Sequence, residues 1–290
     1  MQTGKRSSVT NYLSLIKFSH TIFAMPFAVI GFFLAVVLKD KGIDWKLFLF
    51  VVLCMVFARS AAMAFNRYID RRFDAANVRT IVREIPSGII TPGNAMIFVI
   101  ISSLAFITVT YFINSICFYL SPVALAVILG YSYTKRFTSL CHLVLGIGLS
   151  LAPIGAWLSV TGRFDLLPVL YSFVVLFWVS GFDIIYSLQD EEFDRSQKLH
   201  SLPVALGKRG ALILSSVFHI FSAALVIYAG YRAEFTLWYW IGAAIFIGLL
   251  VYQHLLVKPN DLSKVNLAFM TTNGIASVIF CFFVLLELFL

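Results

Sequence analysis

Nine mostly apolar segments, each long enough for a helix to cross a lipid bilayer, run through this chain. They cover residues 21–38, 46–65, 94–113, 116–134, 140–160, 167–187, 211–231, 237–257 and 265–289. Of the 290 residues, 60% are hydrophobic and 12% are charged. A soluble domain cannot hide so much apolar surface, and a disordered chain would carry more charge. We therefore predict an all-α polytopic membrane protein, with residues 1–290 forming a single transmembrane domain of about nine helices.

The basic residues are distributed unevenly between the two sides of the membrane. The formal net charge of +8 would suggest nucleic acid as the partner of a soluble protein, but in a membrane protein Lys and Arg mark the cytoplasmic loops. With the N-terminus inside, 16 of these residues lie in inner segments and 5 in outer segments, and Arg59 lies within a span. We expect an integral protein of the cell (inner) membrane with a cytoplasmic N-terminus, an external C-terminus and no nucleic-acid partner.

Two inner loops, at about 66–93 and 187–210, are longer than the other connections and carry acids as well as bases. Each contains polar side chains spaced four residues apart. These are Asn66, Asp70 and Asp74 in the first loop, and Asp190 and Asp194 in the second. Residues four apart form a stripe along one face of a helix. The sequence therefore predicts two pseudo-equivalent acidic helix ends on the cytoplasmic side.

Acidic stripes of this kind suit Mg²⁺, which is held by one or two carboxylates and shares its other positions with phosphate oxygens. Two facing stripes would hold two Mg²⁺ ions across one diphosphate. Basic side chains in the inner loops would help to neutralise that diphosphate, although each alone also fits the ordinary anchoring role of a base at the inner face. They are Arg79, Arg83, Lys135, Arg136 and Lys198.

Two charges lie deeper in the apolar segments. Arg59 precedes Asn66 by seven residues, and Asp183 precedes Asp190 by seven. Seven residues return a helix almost to the same face, about 10 Å further along its axis. Charges inside a membrane usually face a cavity or a partner. We hypothesise that the two helices face each other, with Arg59 and Asp183 beneath the metal site. The two residues would form an ion pair there, contact a polar acceptor, or only fix the packing of the helices.

Together these motifs make the chain resemble the UbiA-type intramembrane aromatic prenyltransferases. The resemblance covers nearly the whole chain and centres on residues 66–74, 131–136 and 190–194. Residues 17–21, 62–67 and 181–186 are similar to the 4-hydroxybenzoate polyprenyltransferase-like branch, which includes relatives in the futalosine route to menaquinone. The chain departs from many members in residues 77–80, where Val78 replaces a proline, and at Glu84, which also stands at a proline position.

The resemblance implies nine helices around a central cavity, with Mg²⁺ and a diphosphate at its cytosolic mouth. It implies that the metal residues are Asn66, Asp70, Asp74, Asp190 and Asp194. It implies that the diphosphate residues are Arg79, Arg83, Tyr131, Lys135, Arg136 and Lys198. Candidates for catalysis or acceptor binding are Lys17, Arg59, Asp183 and Tyr186.

The implied reaction is Mg²⁺-dependent transfer of a polyprenyl group from an allylic polyprenyl diphosphate to a small aromatic acid such as 4-hydroxybenzoate, for respiratory quinones. A dihydroxynaphthoate acceptor of menaquinone biosynthesis is the main alternative, and haem farnesylation and archaeal-type lipid synthesis are further alternatives within the family. Asp183 or a motif carboxylate would take the ring proton, and the tail would reach membrane lipid through a lateral opening. Outside the family, a secondary transporter is a remote alternative. Transporters place their sites near the midplane on broken helices, whereas the acidic residues of this chain cluster at one face of the membrane.

Overall fold

The computed structural model describes residues 8–17 and 23–290, which form eleven α-helices and no β-strand. The helices are α1 (Ser8–Leu15), α2 (Met25–Leu38), α3 (Trp45–Ala76), α4 (Pro92–Ile113), α5 (Ser115–Thr134), α6 (Cys141–Thr161), α7 (Leu166–Ser187), α8 (Glu191–Ser196), α9 (Leu202–Arg232), α10 (Leu237–Leu256) and α11 (Asn273–Phe289). Eight helical segments are long and apolar enough to cross a membrane, and α2 is a shorter apolar helix of 14 residues. The all-α polytopic prediction is confirmed. Residues 18–21 of the 17–21 motif and the start of the predicted span 21–38 lie outside the described residues.

The helix α3 continues well beyond the predicted end of its span at residue 65. It begins at a cap in which the Asp44 carboxylate accepts hydrogen bonds from the N–H groups of Lys46 and Leu47, at 2.9 and 3.0 Å. Residues 66–76 contain no Gly or Pro, so nothing stops the helix until Asn77 adopts an extended backbone. The predicted loop 66–93 therefore starts as helix, and only residues 77–91 are irregular.

The second acidic segment is built differently from the first. The helix α7 ends at Ser187, residues Leu188–Asp190 form a 3₁₀ turn, and α8 follows. The tighter turn leaves the Leu188 side chain in the core with 1% of its surface exposed. The two acidic ends are thus equivalent in position but not in local structure. The helix α9 starts at Leu202, nine residues before the predicted span at 211, because Gly207 (φ 68°, ψ 168°) joins a first turn to the long helix at a kink.

One half of the bundle is tightly packed and the other is hollow. In the packed half, Trp178 of α7 is fully buried among aromatic rings of α2 and α10, with Phe27 and Phe246 at ring-centroid distances of 5.3 and 5.8 Å. The helix α2 lies against α6 at Gly31, where an added Cβ would meet the Pro153 carbonyl oxygen at 2.2 Å. On the other side, α3, α4, α5 and α6 surround an apolar cavity of about 410 Å³.

Candidate active site

Asp70 of the first motif lies between two side chains that donate hydrogen bonds to it. Its Oδ1 accepts from Arg136 Nη2 at 2.8 Å, and its Oδ2 accepts from Asn66 Nδ2, one turn earlier in α3, at 3.1 Å. Arg136 also donates to the carbonyl oxygens of Ser132 and Ile69, at 2.7 and 3.2 Å. The guanidinium therefore fixes the end of α5 against the acidic stripe of α3.

Asp74 marks the point where the following loop folds back onto α3. Its Oδ1 lies 2.6 Å from Arg83 Nη1, and its side chain is 7% exposed. The Thr80 hydroxyl donates to the Asp74 carbonyl oxygen at 3.1 Å. These contacts hold residues 77–91 over the end of the helix.

Asp190 of the second motif also contacts the loop formed by residues 77–91. Arg79 forms a bidentate contact with it, Nε to Oδ1 at 3.1 Å and Nη2 to Oδ2 at 2.6 Å, and Arg79 Nη1 donates to the Tyr186 hydroxyl at 2.8 Å. Burial favours the neutral form of Arg79, but the Asp190 carboxylate and the Tyr186 hydroxyl outweigh it and raise the pKa of the guanidinium above its ordinary value. Arg79 thus joins the first loop to the second motif as a fixed cation.

Asp194 is almost fully buried, with 1% of its side chain exposed, and its Oδ1 lies 2.7 Å from Lys135 Nζ. Burial acts to lower the pKa of Lys135, but the Asp194 carboxylate raises it above the ordinary value, so the ammonium stays charged. The Lys135 carbonyl oxygen also accepts a hydrogen bond from the His200 N–H at 2.7 Å. Because Lys135 and Arg136 are consecutive and pair with Asp194 and Asp70, the turn after α5 brings the two acidic motifs together.

The four motif carboxylates are each paired with one of the four bases that the sequence singled out in residues 79–136. In the described part of the chain, no three His, Cys, Asp or Glu side chains are close enough to hold a metal ion by themselves. Mg²⁺ does not require that, because one or two carboxylates and substrate phosphate oxygens suffice. Asp74 Oδ2 is buried and no described residue hydrogen-bonds to it, so within this part of the chain the first motif offers an unshared carboxylate oxygen. The donor set fits a metal that arrives with a diphosphate.

The apolar cavity begins beside the first motif. It follows α3 from Val51 to Met63, one turn short of Asn66, and its few polar side chains include Arg59 and Tyr131. Arg59 Nε is buried and has no hydrogen-bond partner among the described residues. Tyr131 lies within electrostatic range of both Arg59 and Asp183. An apolar chain with a polar group at one end fits this arrangement.

Asp183 is paired with a histidine that the sequence analysis did not single out. Its Oδ2 lies 2.7 Å from Nδ1 of His142, which is 4% exposed at the start of α6. The Leu202 N–H donates to His142 Nε2 at 3.4 Å, so the neutral ring with its proton on Nδ1 satisfies both contacts. The ion pair considered between Arg59 and Asp183 does not form, because His142 takes that place. The one signal in the sequence was a histidine close after Lys135 and Arg136.

Two predicted residues stand apart from this arrangement. Lys198 is exposed after α8 with a left-handed backbone (φ 55°), and Lys17 is exposed after α1 with φ 47°. Neither forms an ion pair with another described residue. Their assignment to the diphosphate and to the acceptor stays a prediction.

A helical bundle with acids and bases facing each other at the mouth of an apolar cavity has the layout of a membrane prenyltransferase, which binds a diphosphate with a long apolar tail. The chain matches the sequence model of the UbiA prenyltransferase family over residues 24–275 and belongs to that family. It is therefore an integral membrane prenyltransferase, and the family resemblance seen in its motifs is confirmed. This enzyme class also sets the transporter alternative aside.

Similar proteins agree with this assignment. The chain is 28% identical over 77% of its length to the 4-hydroxybenzoate octaprenyltransferase of Tolumonas auensis, of which the match covers 77%. It is 29% identical over 82% of its length to the enzyme of the same name from Nitrosomonas europaea, of which the match covers 81%.

Solved structures agree in fold. A UbiA homologue from Aeropyrum pernix K1 superimposes with a TM-score of 0.84 at 28% identity, covering 92% of this chain and 98% of that one. A UbiA homologue from Archaeoglobus fulgidus, solved with GPP and Mg²⁺, superimposes with a TM-score of 0.74 at 18% identity, covering 97% of this chain and 100% of that one.

Proposed function

We propose that the protein transfers a polyprenyl group from an allylic polyprenyl diphosphate to the ring of a 4-hydroxybenzoate-type aromatic acid, with Mg²⁺ as cofactor, in respiratory quinone biosynthesis. The observation that carries this proposal is the set of four carboxylate–base pairs at the mouth of an apolar cavity of about 410 Å³ that contains Arg59. The names of the two relatives, both 4-hydroxybenzoate octaprenyltransferases, support the acceptor class.

The carboxylate–base pairs explain how the site can bind a charged substrate without leaving buried charges unbalanced. Asn66 and the four motif carboxylates would hold the metal, and the bases freed from them would bind phosphate oxygens. When bound, Mg²⁺ would withdraw electron density from the diphosphate and favour ionisation of the allylic C–O bond. The apolar walls around Leu145 and Leu149 would hold the tail and exclude water from the reacting carbon.

The acceptor would lie deeper, between the diphosphate and the cavity. Arg59 would bind its carboxylate, because a buried guanidinium nitrogen with no partner in the described part of the chain favours an anion. Asp183 would take the ring proton, since it alone of the five aspartates at 70, 74, 183, 190 and 194 is paired with a histidine instead of a Lys or Arg. His142 holds Asp183 Oδ2 and so leaves the other carboxylate oxygen to receive the proton.

A dihydroxynaphthoate acceptor of menaquinone biosynthesis is the second candidate. The cavity and Arg59 would accept a larger ring system that also carries a carboxylate, and neither feature favours one acid over the other. The acceptor therefore has to be decided by assay.

The test uses membranes that contain the protein, a radiolabelled polyprenyl diphosphate, Mg²⁺ and either 4-hydroxybenzoate or a dihydroxynaphthoate. We expect labelled lipid product with one of the two acids, and none from Asp70→Ala, from Asp190→Ala or after EDTA. Product that persists in both variants would refute the assigned site. Folded protein that makes no product with either acid would refute the proposed acceptor class.

The orientation in the membrane is part of the same proposal. Residues 1–290 would form one prenyltransferase domain of the cell (inner) membrane, with loops 66–93 and 187–210 in the cytoplasm and the C-terminus outside. Single cysteines placed at exposed Glu192 and Glu234, in a variant without the four native cysteines, would test this with a membrane-impermeant thiol reagent. We expect labelling from outside at residue 234 and from inside at residue 192, and the reverse pattern would overturn the orientation.

A further inference from the structure

Behind Asp74 and Arg83 lie two further buried charges, Arg67 and Glu84. Arg67 is 5% exposed and Glu84 is 8% exposed. Arg67 lies within electrostatic range of Asp74, Arg83 and Glu84. Two cations and two anions thus form one balanced group, as charges removed from water require.

Glu84 is fixed in this group by contacts from both sides. The Ser14 hydroxyl of α1 donates to Glu84 Oε1 at 2.5 Å, and the Ile90 N–H donates to the Glu84 carbonyl oxygen at 3.0 Å. Leu15 of α1 packs in the same apolar cluster as Ile90. Among the described residues, Glu84 Oε2 and Arg67 Nε have no hydrogen-bond partner although both are buried, so the neighbouring charges of the group have to balance these two atoms through space.

Asp74 would otherwise have to balance two cations at once. Arg83 already lies 2.6 Å from Asp74, and Arg67 is attracted to Asp74 and repelled by Arg83. If Glu84 carried no charge, Arg67 would draw Asp74 towards itself and hold it there. Asp74 would then be less able to turn to a metal, and Arg83 would lose its fixed partner.

We propose that Glu84 is a positioning residue for substrate binding. Its carboxylate shares the balancing of the Arg67 charge with Asp74, and it thereby leaves Asp74 and Arg83 free to exchange each other for Mg²⁺ and the diphosphate. This inference rests on the proposed function. It gives a role to Glu84, which stands where many members of the family have a proline.

The test compares Glu84→Gln with the charge-balanced double variant Arg67→Gln/Glu84→Gln and with Glu234→Gln, an exposed control at the other end of the bundle. Glutamine keeps the hydrogen-bond acceptor for Ser14 and removes only the charge. We expect Glu84→Gln to raise the KM for polyprenyl diphosphate and the Mg²⁺ concentration for half-maximal rate by about fivefold or more, with kcat within about twofold. The double variant should recover most of this loss, and Glu234→Gln should match the wild type.

A merely structural role for Glu84 is distinguished by Ser14→Ala. This variant breaks the anchor to α1 but leaves the charge, so a positioning role predicts a change of less than about twofold in KM. The proposal is overturned if Glu84→Gln behaves as wild type, if the double variant is no better than the single one, or if Ser14→Ala reproduces the loss.

Binding of inorganic diphosphate with Mg²⁺, measured by calorimetry without acceptor, tests Glu84 apart from turnover. We expect weaker binding by Glu84→Gln than by wild type, and equal binding would overturn the inference. Absence of prenylated product from folded wild-type protein would instead count against the proposed function.

Discussion

Replacing His142 by leucine tests the deepest part of the proposed site. The Nδ1–Oδ2 contact of 2.7 Å between His142 and Asp183 is buried on the histidine side. A hydrogen bond to a charged group contributes about 1.5–3 kcal/mol. The contact from the Leu202 N–H to His142 Nε2 is long, at 3.4 Å, and adds little. We therefore expect His142→Leu to remove about 2 kcal/mol of the free energy that holds Asp183 in its orientation. If the transition state depends on that orientation, this corresponds to roughly a 30-fold lower kcat.

The assay is the steady-state rate of prenyl transfer with each substrate varied in turn. Because His142 does not contact the motif carboxylates, the KM for polyprenyl diphosphate should stay within about twofold of wild type. His142→Asn is the matched control, since its amide nitrogen can occupy the place of Nδ1 and donate to Asp183. Folded His142→Leu protein with a wild-type kcat would refute the role of Asp183, and equal losses in the Asn and Leu variants would refute the hydrogen-bond argument.

Three further changes give distinct outcomes. Asp190→Asn removes the charged partner of Arg79 and a proposed metal ligand, so activity should fall about 100-fold at the Mg²⁺ concentration that saturates the wild type and recover in part at higher Mg²⁺. An unchanged Mg²⁺ dependence would contradict the ligand role. Tyr186→Phe removes the hydroxyl that accepts from Arg79 at 2.8 Å but keeps the ring, so the KM for polyprenyl diphosphate should rise about fivefold, and an unchanged KM would show that this contact is dispensable. Gly31→Ala places a Cβ 2.2 Å from the Pro153 carbonyl oxygen, so stability should fall by about 1–3 kcal/mol, seen as a lower Tm in detergent, and an unchanged Tm would mean that α2 and α6 can separate freely.

The acidic stripes show what local sequence can predict. Asn66, Asp70 and Asp74 lie four residues apart on a segment without Gly or Pro, so helix geometry alone places them on one face, as α3 confirms. The same argument was wrong in detail for Asp190, because a 3₁₀ turn separates it from α7. Burial of Leu188 in the core accompanies that turn, and spacing along the chain does not reveal it.

The pairing of charges could not be read from spacing. Lys135 and Arg136 are neighbours in the chain, yet one pairs with the second motif and the other with the first. Asp183 was singled out because it is a charge in an apolar segment, but its partner His142 lies 41 residues away on another helix. A lone histidine near a span end gives no sign of which helix it will face.

The sequence by itself determined the membrane class, the helices, the acidic stripes and the family resemblance. These follow from apolar length and helical periodicity, which are properties of consecutive residues. Only the tertiary structure decided that Arg79 crosses to Asp190, that Glu84 comes within electrostatic range of Arg67, and that the hollow half of the bundle opens beside Asn66. Those features depend on how separate helices pack, and the close approach of α2 and α6 at Gly31 is fixed by side-chain shape, not by distance along the chain.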